Sequence, residues 1–126
     1  MAVMRQLFSI NSSAAVTDTG PPAFGYVLQT RWEQTGTADT GGDLAIYAQQ
    51  READTGDGVL VVNDNDCLGA DFFRQYRMPM HGTDGTQLDT GADFSDPVVL
   101  AGERLRVRVT PAGGTVQGRL YVWIMD

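Results

Sequence analysis

Asp-Thr-Gly occurs at Asp18–Gly20, Asp39–Gly41, Asp54–Gly56 and Asp89–Gly91. Two such aspartates brought together can do acid–base chemistry. Like carboxylates at close range cannot both ionise, so one serves as acid and the other as base. The same tripeptide is also ordinary turn chemistry, with Asp bonding its own backbone and Gly taking a positive-φ position. All four copies fall between expected strands, which favours the turn role.

Other chemistry is thinly supported. Asp64-Asn-Asp66 followed by Gly69 opens like a calcium loop, but Leu68 sits at a ligand position and Gln75 stands where a bidentate Glu is needed. Asp39, Asp43, Asp54 and Asp57 could gather around Ca²⁺, and we read them as solvated turn acids. Cys67 and His81 are the sole cysteine and histidine, 14 positions apart across an expected strand. Nucleophilic catalysis needs a base and an orienting group beside the thiol, and this spacing provides neither. No Gly-rich phosphate loop, zinc spacing or dinucleotide fingerprint is present. We therefore expect no catalytic residue, no metal ligand and no cofactor.

The remaining chemistry belongs to arginine and aromatic side chains. Arg104, Arg106 and Arg108 alternate with Leu105, Val107 and Val109, while Arg119, Tyr121 and Trp123 alternate with Leu120, Val122 and Ile124. Period-two alternation marks strands with one buried face. Pro111 to Thr115 joins them, so an antiparallel hairpin is expected. Paired that way, the arginines would lie over the aromatics, each contact worth about 0.5–1 kcal/mol when exposed. Arg, Tyr and Trp are also the residues enriched at binding hot spots.

Composition points the same way. The net charge is −7, and all nine basic residues are Arg. An acidic chain without a basic stripe is a poor match for phosphate backbones, so no nucleic-acid partner is expected. The 15 Gly and 5 Pro favour many short strands and turns over helices. A lone Cys67 excludes an internal disulfide. The first ten residues have one charged side chain and no long apolar run, so neither a signal peptide nor a membrane span is expected.

In chain order, residues 3–10 suit a first strand with Met4, Phe8 and Ile10 on one face. Asn11 to Phe24 lacks periodicity and reads as a loop. Gly25 to Glu33 alternates Tyr26, Leu28 and Trp32 against Gln29, Arg31 and Glu33. Thr35 to Gly42 is a turn. Asp43 to Gln50 places Leu44, Ile46 and Ala48 opposite Tyr47 and Gln49. After a turn at Arg51 to Asp57, Gly58 to Val62 is a buried-type strand. Between Asp64 and Tyr76 a strand is preferred to a helix, because Phe72, Tyr76, Met78 and Met80 share a face and Pro79 ends helical continuation. His81 to Asp96 is a long polar loop, Val98 to Leu100 a short strand, and Ala101-Gly102 a turn or bulge. About eight strands in one domain (1–126) give an all-β, two-sheet antiparallel sandwich of jelly-roll type.

Two resemblances follow from these residues. Leu88-Asp-Thr-Gly-Ala-Asp93 resembles the active-site loop of retroviral-type aspartic proteases, dimers of about this size. In that family the loop comes early and is followed by a flap and a terminal helix. Here only 33 residues follow Asp93 and the terminal strands use them. Pro97-Val-Val-Leu-Ala-Gly-Glu-Arg-Leu-Arg-Val-Arg-Val-Thr110, closing with Gly118-Arg-Leu-Tyr-Val-Trp-Ile124, resembles the small β-sandwich decoration (cement) and minor virion proteins of tailed bacteriophages.

The second resemblance implies a non-enzymatic homo-oligomer, with a trimer favoured. It would sit on the outer capsid surface of a virion after synthesis in the host cytoplasm. Its partners would be the major capsid protein and itself. An N-terminal arm (about 1–10), including Met4, Arg5 and Phe8, and the two long loops would make contacts. So would Arg104, Arg106, Arg108, Arg119, Tyr121 and Trp123. The alternatives are a carbohydrate- or receptor-binding jelly roll, with Tyr121 and Trp123 stacking on a sugar, and a minimal aspartic protease.

Overall fold

A computed structural model of the chain describes residues 3–36, 41–49, 59–64, 67–76 and 98–126. Seven strands are present among them: β1 (Val3–Ser12), β2 (Val16–Gln34), β3 (Asp43–Gln49), β4 (Val59–Asp64), β5 (Phe72–Gln75), β6 (Val99–Thr110) and β7 (Val116–Met125). The fold is all-β and every pairing is antiparallel. The two sheets expected are one hydrogen-bonded path, β1-β7-β2-β6-β3-β4, with β5 on the flank of β2.

The long strand β2 makes this possible. At about 3.3 Å per residue its 19 residues would exceed the width of a small domain if straight. Instead its N-terminal half pairs with β6 and its C-terminal half with β7, so the two halves of the sheet share one strand. The ladder slips on either side of Pro22, and Gly25 adopts φ 115°. A Cβ at Gly25 would collide with the carbonyl of Met125, so the close crossing of β7 requires glycine there. Proline inside a ladder is confined to edges and bulges, which is where Pro21 and Pro22 sit.

Each half buries one face. Leu105, Val107 and Val109 of β6 and Leu44, Ile46 and Ala48 of β3 are buried, as are Leu120, Val122 and Ile124 of β7 and Phe8 and Ile10 of β1. All join one apolar cluster with Trp32. Strands that are not ladder neighbours also touch: the Gln6 amide of β1 donates to the Pro21 carbonyl of β2 at 3.3 Å. Val116 of β7 meets Gly42, ahead of β3, where a Cβ would approach within 3.0 Å. The sheet therefore folds over on its own apolar face. This is the physical solution for a chain whose strands each have one oily side.

Several expectations change. The terminal hairpin does not form: β6 and β7 are consecutive, yet each pairs with a different half of β2. Asn11 to Phe24 is largely strand; its bulged course, with Pro21 and Pro22 both exposed, erases the alternation that would have revealed it. The first Asp-Thr-Gly copy thus lies in a strand, with Asp18 opposite Val107, and is no turn. A register shift between Val27 and Gln29 switches the inward parity, so Val27, Thr30 and Trp32 are buried. Val98 to Val109 is not a short strand plus a hairpin arm; β6 is continuous through Gly102, φ 97°, as a bulge. Between Asp64 and Tyr76, among the described residues, only Phe72–Gln75 forms a strand, after a turn. The segment expected to reach out as an N-terminal arm is β1, laddered along its whole length to β7. Met78, Met80 and the turn and loop at 51–57 and 81–96 lie outside the described residues.

Candidate functional site

The outer face of β1, β7, β5 and the C-terminal half of β2 carries the most distinctive surface chemistry. Register alone assembles it. Arg5 lies opposite Trp123, which lies opposite Gln29, which lies opposite Gln75. In the next outward row stand Leu7, Tyr121, Arg31 and Phe73, and in the third Ser9, Arg119 and Glu33. Side chains directly opposite on one face have Cβ atoms about 4.5–5.5 Å apart, so each row is a line of contacts.

The centre of this face is aromatic. Tyr121 and Trp123 stack with ring centroids 5.8 Å apart and planes 24° off parallel. The Arg5 guanidinium carbon lies 5.1 Å from the Tyr121 ring centre, a cation–π contact across the β1–β7 ladder. Arg119 reaches the Glu33 carboxylate at 3.6 Å. Phe73 (65% exposed) and Leu7 (48%) leave apolar surface open at the flanks. A shallow groove of about 280 Å³ lies beside Phe73, lined also by Gln29, Arg31, Asp71 and Phe72. The Asp71 carboxylate caps one side of this groove by accepting from the Gln34 backbone N–H at 2.7 Å.

The expected arginine–aromatic cluster is therefore divided. Arg119, Tyr121, Trp123 and Arg5 share this face. Arg104, Arg106 and Arg108 stand on the outer side of β6, in the other half of the sheet. There they lie opposite Gln49, Tyr47 and Ala45 of β3, and the Arg108 guanidinium carbon sits 5.4 Å from the Tyr47 ring centre. The reason is the absent hairpin: without a β6–β7 ladder the two alternating runs never become neighbours. Met4 is exposed at the start of β1. Phe8 is a correction, because at 2% exposure it belongs to the core and cannot touch a partner.

Arg31, Leu7, Phe73 and Gln29 complete the surface and were not singled out by sequence. The alternation of Gln29, Arg31 and Glu33 did mark them as outward-facing. What it lacked was the identity of the neighbouring strand.

Among the described residues, Cys67, Asp64 and Tyr76 are engaged within the fold. Burial, and then the negative charge of Asp64, push the Cys67 thiol up to about 11, away from thiolate reactivity. Its Sγ lies 3.5 Å from the Asp64 carbonyl. The Asp64 carboxylate is held by both Arg74 Nε (3.0 Å) and Nη2 (2.5 Å), which ties the end of β4 to β5. Tyr76 is buried, with its hydroxyl 3.5 Å from Thr30 Oγ1. No group of three His, Cys, Asp or Glu suited to a metal ion occurs among the described residues. Asp39, Asp54, Asp57, His81, Asp89 and Asp93 lie outside them. Nor is any helix there long and apolar enough to cross a membrane.

Compared with protein-family models, with curated proteins and with solved structures, the chain matches none.

Proposed function

We propose that this chain is a structural virion protein that decorates a phage capsid, acting by contact and not by turnover. The carrying observation is that Arg5, Arg31, Tyr121 and Trp123 share one face with exposed Leu7 and Phe73. Rigid aromatics and planar guanidinium groups are what hot spots are made of, because they offer large contact area at low entropic cost. Here they stand on paired strands and are positioned before any partner arrives. The resemblance of the terminal strands to phage cement proteins supplies the partner: neighbouring copies of a major capsid protein, bridged from the outside.

The test is co-sedimentation with heads assembled from a tailed-phage major capsid protein. Binding that saturates, raises the melting temperature of the heads and is lost in Trp123→Ala is expected. Absence of binding at micromolar concentration would overturn the reading.

A second reading, binding of a carbohydrate receptor, is favoured by the groove beside exposed Phe73, which places an aromatic ring next to Arg31, Gln29 and Asp71. Saturable binding to a defined glycan on an array, abolished by Phe73→Ala, would support it over capsid decoration.

A further inference from the structure

Arg31 stands between Tyr121 and Phe73 in its outward row, on the exposed side of β2. Among the described residues its guanidinium has no acceptor and no cation–π contact. The other described arginines are engaged. Arg5 lies on Tyr121, Arg108 on Tyr47, Arg119 reaches Glu33 and Arg74 holds Asp64, while Arg104 and Arg106 have interactions of their own. A planar fork of free donors is complementary to a carboxylate, which takes two parallel N–H···O bonds. The chain's own nearest carboxylates are committed elsewhere: Glu33, two residues along β2, to Arg119, and Asp71, through Oδ1, to the Gln34 N–H.

The groove beside Arg31 narrows the choice of carboxylate. The exposed ring of Phe73 is an apolar wall, the Gln29 amide supplies donors and an acceptor, and Oδ2 of Asp71 is left to accept from a ligand hydroxyl. A simple anion that brings no donor meets repulsion from Asp71 there. At about 280 Å³ the groove is at the small end of ligand sites and takes one ring. A pyranose sets its C–H face on an aromatic wall and its hydroxyls on a carboxylate and an amide. Adding the free guanidinium describes a sugar ring that carries a carboxylate.

We propose that the groove between β2 and β5 binds one acidic sugar unit of the uronic-acid class. Its carboxylate lies on Arg31, its ring faces Phe73, and its hydroxyls meet Asp71 and Gln29. This rests on the carbohydrate reading of the groove, whose ligand it names, and does not depend on capsid attachment.

The experiment is an NMR titration of the isotope-labelled full chain with methyl β-D-glucuronide and, separately, with methyl β-D-glucoside. It is repeated for Arg31→Gln and Phe73→Ala, both at exposed positions. Shifts at the Gln29 side-chain amide and the Phe73 N–H are expected, with the glucuronide bound roughly 10-fold more tightly than the glucoside. R31Q should remove that preference and leave glucoside binding unchanged, whereas F73A should weaken both. Equal affinity for the two sugars at the groove would overturn the acidic ligand and leave the carbohydrate reading standing. No shift at the groove with either sugar up to about 50 mM would overturn both. Tighter binding of N-acetyl-aspartyl amide than of the glucuronide would overturn the proposal in favour of an acidic peptide.

Discussion

Arg5 and Tyr121, from opposite ends of the chain, meet with the guanidinium carbon 5.1 Å from the ring centre. The contact joins an edge strand to its neighbour on the face proposed to bind. On an exposed surface it is worth about 0.5–1 kcal/mol to folding. We expect Arg5→Ala to lower stability in urea by no more than that, while weakening head binding about tenfold. Loss of stability without loss of binding would remove Arg5 from the contact surface.

Trp32 is the anchor of the core. Its indole Nε1–H donates to the Leu68 carbonyl at 3.2 Å, tying β2 to the turn before β5. Trp32→Phe leaves that carbonyl without its donor and empties part of the site, so a loss of about 2–4 kcal/mol is expected in urea denaturation. Gly118→Ala should cost about 1–3 kcal/mol by overpacking, because its Cβ would crowd the same indole and lie 2.6 Å from the Glu33 carbonyl. Near-neutral results would contradict the close approach of β7 to Trp32.

Alkaline pH should destabilise the fold. The Cys67 thiol is raised from 9.0 to about 11, first by burial and then by Asp64, and the Tyr76 phenol is raised from 10.0, first by burial. Above pH 9 the unfolded chain gives up the thiol proton before the folded one does, so folding is opposed as pH rises. The contribution is intact below pH 9 and is lost as pH climbs toward about 11. Melting temperatures across that range should fall, with a shallower fall in Cys67→Ala. Equal slopes for both proteins would refute the assignment.

The Asp64–Arg74 pair fastens β5, the shortest strand, to the end of β4. Arg74 is 42% exposed and Asp64 15%, so solvent screening leaves the paired geometry about 1 kcal/mol. Asp64→Asn should cost about that much at low ionic strength and less in high salt. Amide exchange at Phe72–Gln75 should rise in the variant; unchanged protection would show that the pair does not hold β5.

Strand character and inward faces were legible wherever alternation was uninterrupted. Leu105, Val107 and Val109, Leu120, Val122 and Ile124, and Leu44, Ile46 and Ala48 are buried as their spacing predicts, since a strand side chain has only two directions to point. The outward-facing choice of Arg119, Tyr121 and Trp123 follows from the same rule. Neighbour identity does not follow. That β6 and β7 part company, that β2 runs through two prolines to serve both halves, and that Arg5, Arg31 and Phe73 meet Tyr121 are decided by non-local pairing. Alternation is a property of one strand, whereas a surface is made by several. Which strands lie side by side depends on how the whole sheet can fold to cover its apolar face, and no local spacing encodes that.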